Sequence, residues 1–154
     1  MATPGYTVAS AGNIALTAAT AKTVLNIINA SNSLIRIVEI GVSFDGVTST
    51  AVPVVVELCK STQAGAGTST SHTIVQGRGP TRTVQATAAR NYTAEPTVLT
   101  AYKRWLVPAF MGLVVIQFPL GREPEIITSA NAYALRCTAP AAVNFQGYME
   151  FEEG

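Results

Sequence analysis

Residues 143–153, VNFQGYMEFEE, alternate apolar and polar side chains with a period of two. Val143, Phe145, Gly147, Met149 and Phe151 share one face, and Asn144, Gln146, Tyr148, Glu150 and Glu152 share the other. A helix would scatter these positions around its circumference, whereas a strand separates them cleanly, so this segment reads as a half-buried strand. Nowhere does the chain carry an apolar stripe at helical spacing longer than two turns. That excludes a doubly wound α/β fold, whose strands alternate with helices.

Other strands follow from the same periodicity. TVLNIINA begins after Lys22 and stops at Asn29–Ser33. LIRIVEIGVSF follows, with Leu34, Arg36, Val38, Ile40, Val42 and Phe44 expected on the core face and Ile35 and Ile37 on the opposite one. It ends at Asp45-Gly46, a strong turn signal. VPVVVELCKS carries Val54, Val56 and Leu58 on one face, with Pro53 at its start because proline cannot donate to a ladder. Short candidates lie at 72–76 and 81–87, and better ones at 97–103, 112–118 and 133–138. Long connections at 61–72, 86–96 and 119–132 favour Greek-key crossing over a meander. The expectation is an all-β, antiparallel, jelly-roll-like sandwich of about eight strands over residues 22–154. Val38, Ile40, Val42, Val54, Val56, Val115, Phe145, Met149 and Phe151 are its expected core.

Residues 1–21 carry no side-chain charge and are mostly small. They read as an extended arm packed along this domain or a neighbour, with Tyr6 and Val8 able to pair with a sheet edge. A helix over 15–21 is the competing local reading, because alanine favours it.

The chain is 48% hydrophobic but only 12% charged, well below the roughly 25% of an ordinary soluble domain. Such a surface suits cover by a partner. A net charge of +1 without a Lys/Arg stripe speaks against specific nucleic-acid binding. The start shows no basic region followed by an apolar core, and no apolar run reaches bilayer length. Synthesis in the cytosol, without membrane insertion, is the expectation. Cys59 and Cys137 read as two buried free thiols, with a bridge open only if their strands adjoin.

Chemistry is sparse. The single histidine, His72, sits in a Ser/Thr/Gly loop without nearby metal ligands, and no nucleophile-elbow sequence accompanies it. Asp45-Gly46 lacks the oxygen donors of a calcium loop. Glu123 and Glu125 flank Pro124 in GREPE, where Arg122 is the local counter-charge; a surface or subunit contact is favoured over paired-carboxylate catalysis. GAG at 65–67 lacks the P-loop Lys-Ser/Thr. No cofactor and no enzymatic activity are expected. The segment Tyr102–Phe110 groups Tyr102, Lys103, Arg104, Trp105, Pro108 and Phe110. Trp105 is either a core-closing residue, an assembly contact or a sugar platform.

Taken together, TAKTVLNIINASNSLIRIVEIGVSFDG at 20–46 and WLVPAF with GLVVIQFPLGREPEI across 105–126 resemble the small β-sandwich structural proteins of tailed bacteriophages, particularly capsid decoration or cement proteins. The resemblance spans about residues 20–152 in style. It implies a protein made in the host cytoplasm that sits on the outer surface of an icosahedral capsid as a homo-trimer. There it would bridge subunits of the major capsid protein against internal DNA pressure. Tyr6, Val8, Trp105, Pro108, Phe110, Arg122, Glu123 and Glu125 are the candidate assembly contacts. The alternative is a carbohydrate- or receptor-binding sandwich of a phage tail or fibre.

Overall fold

In the computed structural model, which describes residues 3–48, 52–110 and 112–154, the chain forms thirteen strands and two antiparallel sheets. In order they are β1 (Gly5–Ala9), β2 (Ile14–Leu16), β3 (Ala21–Ile28), β4 (Ile35–Phe44), β5 (Val54–Thr62) and β6 (Thr68–His72). There follow β7 (Val75–Arg78), β8 (Thr87–Ala94), β9 (Leu99–Val107), β10 (Val114–Gln117), β11 (Glu125–Ile126), β12 (Asn131–Thr138) and β13 (Val143–Glu153). The first sheet runs β10-β4-β13-β1-β7, with β11 continuing the line of β10 along β4 and β2 that of β1 along β13. The second runs β6-β8-β3-β12-β5-β9. The sheets pack face to face, sandwich-like, around one apolar layer to which both contribute.

The alternation in β13 holds: Phe145, Met149 and Phe151 are fully buried between the sheets. In β4 the faces change partway. Ile35 and Ile37 point inward, then Ile40, Val42 and Phe44 do so, while Val38 is only partly covered. The cause is a bulge, for Glu150 pairs with Glu39 but Phe151 with Ile37, leaving Val38 as an extra residue. Its carbonyl instead accepts the Phe118 N–H at 3.0 Å. Inward Ile37 and Ile40 stand three apart, so an unbroken alternation starting at Leu34 assigns the first half of the strand to the wrong face. Arg36 accordingly points out, where it meets Glu125 at 2.8 Å.

Val115 is likewise not core. It stands opposite Gly41 on the outer face, while Val114 and Ile116 pack against the core. In an all-apolar run such as GLVVIQF neither parity is marked by a polar residue.

The segment expected as an arm is an integral part of the first sheet. β1 lies between β13 and β7, and Tyr6, Val8, Ile14 and Leu16 are buried. The Tyr6 ring stacks on Phe151 at 5.4 Å between centroids. Small residues around these four side chains gave the segment its arm-like composition; the four apolar positions anchor it. Residues 15–21 form no helix. The surplus over eight strands comes from the short elements β1, β2, β6 and β11 and from β8, while β7 overlaps the candidate at 72–76. The stretch at 86–96, expected as a connection, is mostly β8, whereas 81–86 is irregular. That irregular stretch is tied down by the buried Glu153 carboxylate, which accepts the N–H groups of Gln85 at 2.8 Å and Ala86 at 3.0 Å.

Two short crossovers span the second sheet. The β8–β9 connection must pass β3, β12 and β5, and the β5–β6 connection must pass β12, β3 and β8. They brace each other, with Thr97 N–H donating to Gly65 O at 2.8 Å. Gly67, at φ +77°, lies so close that a Cβ would stand 2.3 Å from the Ala94 carbonyl oxygen. Glu95, on the first of these crossings, accepts both the N–H and the hydroxyl of Thr23 at 2.6 Å.

Cys59 and Cys137 are buried and unbridged. Their strands adjoin, but Cys59 pairs with Ala134 and Cys137 with Val56. Burial pushes the Cys59 thiol up to about 11 and that of Cys137 higher still, so neither is a thiolate near neutrality.

Candidate functional site

Most of the candidate contact residues converge on one lateral side of the sandwich. There the last strand of the second sheet, β9, faces β10 and β11, which end the first sheet. The two margins are linked by Lys103 on β9, whose ammonium lies 4.9 Å from the ring centre of Phe118 beyond β10. Gly46 N–H donates to Ala109 O at 2.9 Å, tying the β9–β10 connection to the end of β4.

Along β9 most side chains are exposed. The exceptions are Leu99, half-buried, Val107, buried, and Trp105, partly buried against the core, so the Trp105 ring is committed to closing the sandwich margin. Pro108 and Phe110 remain exposed beyond it. Arg122 is exposed and Glu123 half-buried. Glu125 is paired with Arg36 rather than with Arg122, because β11 sets it directly opposite Arg36 on β4. Tyr6 and Val8 are absent from this side, being spent on the core.

The residues missed by sequence reasoning are Leu106, Leu113, Val115 and Leu120, which are 69, 59, 44 and 96% exposed. A signal for them exists in the sequence. From Trp105 to Gly121 there is no Asp, Glu, Lys or Arg, yet the segment lies at a margin where solvent would normally select charge. Scattered surface leucines need no explanation, whereas several on one uncharged segment stand out from that background.

Beside this margin a cleft of about 440 Å³ opens between the start of β9, the end of β5 and β11. Val98, Ile126, Ile127 and Tyr133 supply its apolar wall, and Lys60 and Glu125 its charges. Tyr102 meets Tyr133 edge-on at 5.7 Å. Its ring carries the ammonium groups of Lys60 at 5.5 Å and Lys103 at 5.7 Å, cation–π contacts that compete with a sugar for the same face.

The outer face of the second sheet holds the most strongly coupled charges. Glu57, almost fully buried on β5, accepts from Arg104 Nε at 2.7 Å and Arg136 Nε at 2.8 Å. Burial pushes its carboxyl up, but the hydrogen bonds from Arg136 and Arg104 outweigh this and hold it below its ordinary value. On the first sheet, the Tyr148 hydroxyl and then Gln117 hold Glu39 low in the same way. Both carboxyls are depressed in the folded state, so their stabilisation is complete above the ordinary value of 4.5 and is lost as pH falls through the folded values. The thermal midpoint is therefore expected to fall as the buffer is taken below 4.5. Glu57→Gln should cost about 1–3 kcal/mol at neutral pH and flatten part of that decline. A pH series of melting curves on both proteins checks the sign, and parallel curves would remove Glu57 from the account.

His72 sits at the end of β6, where Nε2 contacts the Ala9 carbonyl oxygen. Among the described residues no group of three or more His, Cys, Asp or Glu side chains is arranged to hold a metal ion. No protein-family model, curated protein or solved structure matches this chain.

Proposed function

We propose that this chain is a non-enzymatic structural subunit of a larger assembly, in the form its resemblance suggests. It would be a decoration protein on the outer surface of a tailed-phage capsid, binding the major capsid protein as a homo-trimer and bridging neighbouring shell subunits. The observation that carries the reading is the uncharged 105–121 segment of the lateral margin, where exposed apolar side chains coincide with strands that have no outer neighbour among the described residues. A jelly-roll-like path of the sandwich belongs to the same proposal. The two thiols are buried and protonated, and His72 Nε2 contacts a backbone carbonyl, which suits a structural role.

One element of the mechanism changes. Attachment by strand addition of residues 1–21 is set aside, because Tyr6 and Val8 already fill their own core. Contacts with the shell then fall to the exposed margin and its loops. The cleft walled by Val98, Ile126, Ile127 and Tyr133 supports the second reading, a carbohydrate- or receptor-binding tail or fibre domain.

Add-back to undecorated shells tests the first reading. Purified protein should bind saturably and raise the temperature at which shells rupture, and Leu120→Lys or Phe110→Lys should weaken binding while leaving the melting curve of the free protein unchanged. Shells that neither bind nor gain stability would defeat it. Saturable binding of soluble oligosaccharides at the Tyr133 cleft would instead favour the second.

A further inference from the structure

We infer that the two lateral sides of the sandwich are the two halves of one contact between copies of this chain, the 105–121 side of one copy lying against the 61–77 side of the next. This rests on the assembly reading above and divides the margin: its strand edges join the copies to each other, and the loop residues Phe110 and Leu120 are left to meet a shell.

Residues 61–77 form the opposite lateral side and, like 105–121, contain no Asp, Glu, Lys or Arg. They include β6, which among the described residues pairs only with β8, and the start of β7, which among them pairs only with β1. Val75 on this side is 56% exposed. Natural edge strands are normally guarded by charge, proline or a bulge, because their unpaired N–H and C=O groups recruit other chains. The β9 edge is guarded in this way, by Lys103, Arg104 and a register shift beside Tyr102. The β10 edge is not, its strand being uncharged and in unbroken register; β6 and β7 each carry a register shift, at Thr68/Thr70 and beside Gly77, but no charge over 68–77.

Two unlike open edges favour a head-to-tail contact. A twofold contact uses one side twice and leaves the other exposed. A head-to-tail contact uses both, and when its rotation closes a ring no copy retains an open edge. Strand direction permits it. Every neighbouring pair across the first sheet is antiparallel, so β10 and β7 at its two ends point the same way. Rotation about an axis along the strands keeps that direction, and β10 then meets β7 of the next copy in parallel, a pairing that forms regular hydrogen bonds. Because neither side carries a charge along these segments, closing them buries no unpaired ion.

Two exposed substitutions test the inference, Val115→Lys on one side and Val75→Lys on the other, with mass measured in solution. The full-length protein should be a closed oligomer. Each variant alone should be a monomer with an unchanged melting curve. Mixed, they should form a one-to-one pair that grows no further, since each retains the side the other lacks. Should either variant unfold, Leu113→Lys and Thr70→Lys serve in its place. A monomeric parent protein overturns the contact, and so does a mixture that stays monomeric. An oligomer retained by Val75→Lys alone would show a twofold contact confined to the β10 side and overturn the head-to-tail arrangement. Shell add-back reads the parent proposal separately, because a monomer that still binds and stabilises shells defeats this contact alone.

Discussion

A chain lacking residues 1–16 is expected to lose cooperative folding. The deletion removes β1 from between β13 and β7, takes β2 off the start of β13, and strips Tyr6, Val8, Ile14 and Leu16 from the core. Each of these side chains is worth roughly 1.5–3 kcal/mol of burial, together about 6–12 kcal/mol, against a total stability of about 5–15 kcal/mol for a domain of ordinary size. The loss also unpairs one side of β13 over Tyr148–Glu152 and leaves β7 without its neighbour. Calorimetry or circular dichroism decides the matter. A sharp transition within a few degrees of the intact protein would mean that the segment is an appendage after all, as its composition suggests.

Phe145→Ala is expected to be the most damaging single substitution of the core set, at about 3–5 kcal/mol. Phe145 is fully buried, meets Phe44 at 6.0 Å between ring centres, and lies against the backbone of Gly147, where a Cβ would stand 2.6 Å from its ring. A cavity there has little freedom to collapse, because the ring is flanked by strands paired on both sides. At about 2–4 °C per kcal/mol the midpoint should drop by on the order of 10 °C. The instructive control is Val38→Ala, expected to cost no more than about 1 kcal/mol because the bulge turns Val38 out of the core. Equal losses at the two positions would contradict the inward–outward assignment of β4.

These two substitutions also mark what the sequence could convey. β13 was legible because polar and apolar residues alternate without interruption, so one face is unambiguous. β4 was legible as a strand but not in its facing, because a bulge changes phase without changing composition. The all-apolar run around β10 hid its parity for a related reason. β1 and β2 were missed because four anchors among alanines, threonines and glycines give too weak a period, and because their stability comes from β13, more than a hundred residues away in sequence. Of the candidate contact residues, those at 105–110 and 119–126 were found through their turn and aromatic chemistry and do share one side. Trp105 was noticed for its size, yet the structure uses it mainly to close the core. The exposed leucines around it were passed over because each alone is unremarkable; only their shared lack of charged neighbours separates them from background.

The placement of β12 and β13 bears on how the chain can be completed during synthesis. These are the last two long strands made, yet each sits inside its sheet, β12 between β3 and β5 and β13 between β4 and β1. A nascent chain that has emerged only as far as β11 therefore holds both sheets in two separate halves, each with its inward apolar residues facing no seam partner. Domains usually fold as units while translation proceeds, but here no N-terminal portion can act as such a unit. Both halves must wait, and loop closure over most of the chain length must precede the reward of pairing. Folding of both sheets thus waits for one late event, the emergence of β12 and β13, and a product terminated before β12 leaves no folded fragment to compete with the finished chain.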